Sequence, residues 1–231
     1  MQTDERSRRD SQALRELGRA LGLACVGLVG ALPLASGPAG RAGDPLLLLA
    51  WLALCAAPCG AALVALGLRP WPYAAAVVGA WGTLVVMVAG TAAREVPTPL
   101  WGVLALAGLT AGGAALAQLL RASAQVALAL GALGLGLALL PVAPGIAGAP
   151  WPTSVASAAL DASPVTLVAE ASGIDWMRTA GVYDASGTDR LERTPWSGEL
   201  AGPVALVLGC AALGIAALVR RSPSPKEPAS T

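Results

Sequence analysis

The feature that most constrains this chain is the run from residue 45 to residue 143, which holds only four charged side chains, Arg69, Arg94, Glu95 and Arg121. They divide the run into apolar blocks of roughly 20 residues, the length that crosses a hydrocarbon core about 30 Å thick at about 1.5 Å per helical residue. Across the whole sequence of 231 residues, 55% are hydrophobic and 13% charged. A soluble domain carries about a quarter of its residues as charges. The expected fold class is an all-α integral membrane protein: a six-span transmembrane helix bundle, with an outer segment of short helices and turns between spans 5 and 6.

Residues 1–19 are hydrophilic and carry Arg6, Arg8, Arg9, Arg15 and Arg19. Asp10 or Ser11 is placed to cap a helix with the apolar stripe Leu14, Leu17 and Leu21, a basic amphipathic segment suited to cytoplasmic headgroups. The alternative is a charged, half-ordered tail. The first apolar block, about 20–36, ends in Leu-Pro-Leu-Ala-Ser-Gly. It fits either an uncleaved first span or a secretory signal; the acids among residues 1–19 favour the span. Further spans are expected at about 45–67, 72–92, 99–120 and 124–143. A polar segment follows at 144–200, then a sixth span at 201–219 and a short basic tail at 220–231. Trp71, Tyr73, Trp101 and Trp151 fall near predicted interfaces, where an amphipathic ring is favoured. Trp51 and Trp81 lie deeper and read as packing residues.

Orientation follows from the basic residues. With the N-terminus inside, the inner stretches hold Arg6, Arg8, Arg9, Arg15, Arg19, Arg69, Arg121, Arg220, Arg221 and Lys226, whereas the short outer loops hold only Arg41 and Arg94. The asymmetry predicts both termini in the cytoplasm. The scarcity of Phe, Asn and Lys beside abundant Ala, Gly, Leu and Arg points to a GC-rich bacterial genome, and hence to a bacterial inner membrane.

Small residues recur at four-residue spacing, as in Gly108 with Gly112, Ala127 with Gly131, Gly134 with Ala138 and Ala205 with Gly209. Such pairs let helix backbones approach closely in lipid, where no hydrophobic drive brings helices together. Gln118 and Gln125 flank the Arg121 turn and are expected to hydrogen-bond at the inner interface.

Chemistry is sparse. The chain has no His, which removes imidazole as general base, haem ligand or metal ligand. Cys25, Cys55, Cys59 and Cys210 all lie in apolar blocks and read as small buried residues rather than a disulfide framework. No charge falls at mid-span depth, and no Gly-x-x-x-x-Gly-Lys loop is present. No catalytic, cofactor-binding or metal-ligating residue is assigned, no cofactor is expected, and a membrane-embedded enzyme ranks last among the readings.

The outer segment is the exception. It holds Asp161, Glu170, Asp175, Asp184, Asp189, Glu192 and Glu199 against Arg178, Arg190 and Arg193. Ser163-Pro164 reads as an N-cap followed by proline at the first helical position. Val165, Leu167, Val168, Ala171 and Ile174 then give a short, partly amphipathic helix with Gly173 as its stop, resting on the membrane surface or dipping into the bundle mouth. Asp184, Ser186, Gly187, Asp189 and Glu192 supply oxygens, but their spacing misses the calcium-loop pattern. The candidate interaction residues are Glu170, Asp175, Trp176, Arg178, Tyr183 and Asp184.

The basic Leu14/Leu17/Leu21 stripe before the first span, and the stretch from Ser163-Pro164 to Tyr183 before the last, give an arrangement that resembles the permease subunit of type-2 ABC exporters. The likeness covers most of the chain and lies in layout, so no functional residue is carried over. It implies a permease-like subunit powered by a separate nucleotide-binding ATPase, as a homo- or hetero-oligomer. The competing expectation is a membrane scaffold whose acidic outer segment docks a periplasmic or cell-surface protein. In both, the chain sits in a lipid bilayer and no nucleic-acid partner is expected.

Overall fold

The structure is a computed structural model that describes residues 15, 16, 18, 19, 22 and 27 singly and the stretches 45–91, 99–121, 123–139, 158, 162–174 and 198–221. Among these residues there are six helices and no strands: α1 (Pro45–Ala65), α2 (Pro70–Thr91), α3 (Pro99–Leu120), α4 (Ser123–Leu139), α5 (Pro164–Ala171) and α6 (Gly198–Arg221). Four contain apolar stretches long enough to cross a membrane: Leu47–Ala65, Pro70–Met87, Pro99–Leu120 and Leu200–Arg220. The apolar part of α4, Ala124–Leu139, is shorter. All but Gly22 and Gly27 of the first apolar block lies outside the described residues, as do Leu14, Leu17 and Leu21.

The packing fixes helix directions. Leu63 and Leu68 meet Tyr73 and Ala74, so α1 and α2 form an antiparallel hairpin. Ala61, Ala117 and Val126 share one cluster, while Gly131 faces Pro58 and Gly134 faces Leu54, so α4 runs against α1. By contrast, Trp101 lies beside Gly202, Gly108 beside Ala205 and Gly209, and Ala111, Ala114 and Ala115 beside Leu213 and Ala216. Helices α3 and α6 are therefore parallel, and Leu48, Leu49 and Leu52 beside Ala105 and Leu106 with the Ala61–Ala117 contact give α1 the same direction.

Helix α3 is the hub because its small residues let two neighbours reach its backbone. A methyl group on Gly60 or Gly113 would strike the facing carbonyl of Thr110 or Ala57. One on Gly108 would strike Ala205, and one on Gly209 would strike Gly108. The four-residue spacing thus marked a true contact in Gly108 and Ala205/Gly209, but not in Gly112, which meets nothing within 4 Å. Gln118 turns inward and is buried, whereas Gln125 is exposed.

These directions sort the molecule into two ends. Arg69 follows α1, Arg121 follows α3 and Arg220 lies in the last turn of α6, all three at one end and all exposed. Glu16 belongs to the same end, accepting a 3.1 Å hydrogen bond from the Tyr73 hydroxyl. Further along, Trp51 Nε1 donates to the Gly27 carbonyl at 2.9 Å, and a methyl on Gly27 would come within 2.7 Å of Trp81 Cζ2. Trp81 is 0% exposed. As expected, both deep tryptophans are packing residues.

Candidate functional site

The opposite end of the bundle is closed by α5. Its start is set by Pro164, whose missing N–H and fixed φ suit the first helical position. Ser163 occupies the N-cap with extended geometry (φ −72, ψ 127), but its side chain makes no capping hydrogen bond. The stop is a left-handed turn at Gly173, φ 72. The Gly173 N–H donates to the Glu170 carbonyl at 3.0 Å and the Ile174 N–H to the Ala169 carbonyl at 3.0 Å, the paired bonds that satisfy a helix's last carbonyls.

This short helix does not rest on a surface. It packs against α1, α3, α4 and α6, taking the second of the two positions open to it from sequence. Val168 and Ala171 join Leu48, Leu49, Leu52, Ala105, Leu106 and Ala201 in the main core, with Val165, Leu167 and Ile174 against its edge. Ser172 Oγ lies where a Cβ on Gly102 would be, and Pro164 faces Gly134. Gly102 therefore makes room for the seat by lacking a side chain, whereas a Cβ on Gly134 would meet Pro164 at an ordinary van der Waals distance. Sequence reading missed Gly102 and Ser172. The signal available was a glycine one turn into a predicted span, which is silent about its partner.

Two buried hydroxyls carry their own hydrogen bonds. Ser172, 0% exposed, donates from Oγ to the Val168 carbonyl at 2.8 Å. Deeper in the bundle, Thr110 Oγ1 donates to the Leu106 carbonyl at 2.8 Å. A hydroxyl that back-bonds to its own helix is satisfied inside an apolar environment, and it is not poised as a nucleophile. Ser163 and Thr166 are also buried. Among the described residues no three His, Cys, Asp or Glu side chains come together as a metal site.

Of the residues singled out in the outer segment, Glu170 is in the last turn of α5 and half-buried. Asp175, Trp176, Arg178, Tyr183 and Asp184 lie outside the described residues, as do Ser186, Gly187, Asp189 and Glu192. The site therefore presents one carboxylate beside a plug of small and branched side chains. Among the described residues no base, nucleophile and orienter are brought together here. Comparison with protein-family models, curated proteins and solved structures returns no match.

Proposed function

We propose that this chain is a permease-like membrane subunit that works with a separate ATPase. It crosses the bilayer six times, with both termini and the arginine end in the cytoplasm of a bacterial inner membrane and α5 toward the outer face. The observation that carries the reading is the seat of α5: a helix from the segment between the last two apolar helices fills the end of the bundle remote from the arginines. A path through the bundle would open there by displacing Val168, Ala171 and Ser172 from α1, α3 and α6. No charged side chain is found along the described lengths of α1 to α4, away from their ends. Coupling to an ion gradient ordinarily uses a titratable group within the spans, so the driving energy is assigned to a partner. Affinity purification of the full chain in mild detergent should recover a nucleotide-binding subunit, and removing residues 1–19 should lose it. Isolation as a lone protein under the same conditions would defeat the proposal.

One observation favours a second reading. The turns at the arginine end are short, four residues from Leu66 to Arg69 and two between α3 and α4, and give a nucleotide-binding subunit little to grip. A scaffold needs no such grip. Here α5 would anchor the acidic segment 144–200 to the bundle, and the segment would dock an extracytoplasmic protein. Alanine at Asp175, Asp184 and Asp189 together should then abolish partner recovery while the bundle stays folded; unchanged recovery would exclude it.

A further inference from the structure

We propose that the arginine end of the bundle is a binding surface for anionic phospholipid headgroups, with Arg69, Arg121 and Arg220 as its rim contacts; this rests on the membrane reading above. The first observation is charge. The described residues at this end include Arg69, Arg121 and Arg220, all exposed, and the one acid described there, Glu16, accepts a hydrogen bond from Tyr73.

The second observation is depth. Each rim arginine follows, or closely precedes, an exposed apolar or aromatic side chain. Trp71 is 50% exposed after Arg69, Leu120 is 58% exposed before Arg121, and Leu218 and Val219 are 66% and 57% exposed before Arg220. Apolar side chains at such exposure suit hydrocarbon, which places the neighbouring guanidinium groups at the headgroup boundary, with an aromatic ring where such rings are favoured. A protein docking from the aqueous side would use groups projecting beyond that boundary. The turns here are short, so the partner of the proposed function would engage residues 1–19 and leave the rim arginines to lipid.

The third observation is the backbone of Arg121. Two other helix ends turn through the left-handed region on glycine, Gly67 at φ 71 and Gly173 at φ 72, whereas α3 does so on Arg121 at φ 56, the one non-glycine residue with positive φ among the described residues. Glycine is the ordinary occupant of this position, because a Cβ there is disfavoured. A side chain retained against that preference, exposed and cationic, is accounted for by what the guanidinium binds. Its planar fork suits a phosphate, and a juxtamembrane cation favours anionic lipid by about fivefold.

The test uses the full chain reconstituted into vesicles of phosphatidylcholine and phosphatidylglycerol in equal amounts, re-extracted in a mild neutral detergent, with retained lipid counted by headgroup. Phosphatidylglycerol should be retained well above the ratio supplied. The enrichment should fall about fivefold in Arg121→Gly and vanish in Arg69→Gln/Arg121→Gln/Arg220→Gln. Arg121→Gly also guards against misfolding, since glycine relieves the backbone: it should raise the thermal midpoint in neutral detergent while losing the lipid. Retention at the supplied ratio, or unchanged enrichment in Arg121→Gly, would overturn the proposal. So would loss of the enrichment to added inorganic phosphate, which would make the site one for free anions. A chain that enters neither these vesicles nor vesicles of phosphatidylcholine alone would instead refute the membrane reading beneath it.

Discussion

At one end of the bundle an eight-residue helix is pressed between α1, α3, α4 and α6, with Val168, Ala171 and Ser172 each 0% exposed. At the other, the helices stop at bare turns whose arginines stand in the open. The first end is specified by shape: Gly102 leaves room, and α5 with its cap at Ser172 fills it. The second is specified by charge and turn geometry, with Leu68 packed under the first turn against Leu63, Tyr73 and Ala74 and the arginines outside it. A substitution of the same kind should therefore have very different consequences at the two ends.

The largest effect is expected from Gly102→Val, which drives a branched side chain into Ser172 and should unseat α5. Overpacking of this kind costs about 3 kcal/mol, visible as a lowered thermal midpoint and as new protease cleavage within 162–174. Val168→Ala leaves the seat open but loosens the plug. A loss of about 2 kcal/mol is expected, and a midpoint equal to the parent's would show that α5 contributes nothing to the fold.

The next pair sharpens the contrast by using one backbone conformation at both ends. Gly173→Ala should destabilise by about 1 kcal/mol, because alanine is strained at positive φ. Arg121→Gly should stabilise by up to about 1 kcal/mol in neutral detergent for the same reason reversed. Two shifts of the same sign would break the comparison. The smallest effect is expected from Arg69→Gln, within about 0.5 kcal/mol in neutral detergent, as for an exposed side chain away from packing.

How far the sequence could be read follows the same division. The arginine end was legible in its charges, because arginines that interrupt apolar blocks are local signals: Arg69 and Arg121 lie where the turns form, although the left-handed turn at Gly67 was not singled out and the next helix begins at Pro70. The helix at 164–171 and its stop at Gly173 were legible too, since proline and glycine act on their own backbone. What was not legible was the seat. In a chain with 28 glycines, small residues at helical spacing occur everywhere, and spacing does not say which glycine faces another helix's backbone. Gly108 and Gly112 stand one turn apart on α3, yet only the first touches α6. That distinction depends on where α6 lies, which is tertiary information. The first apolar block illustrates a further gap, since Gly27 is fixed by two tryptophans distant in sequence, Trp51 and Trp81.

The central claim is that the arginine end and the end holding α5 face opposite sides of a membrane. Its most direct test places single cysteines in a background with the four native cysteines replaced, and labels intact cells with a membrane-impermeant maleimide. The account predicts that Asp184→Cys reacts from outside, while Arg69→Cys reacts only after the membrane is opened. Labelling of both positions from the same side would contradict it.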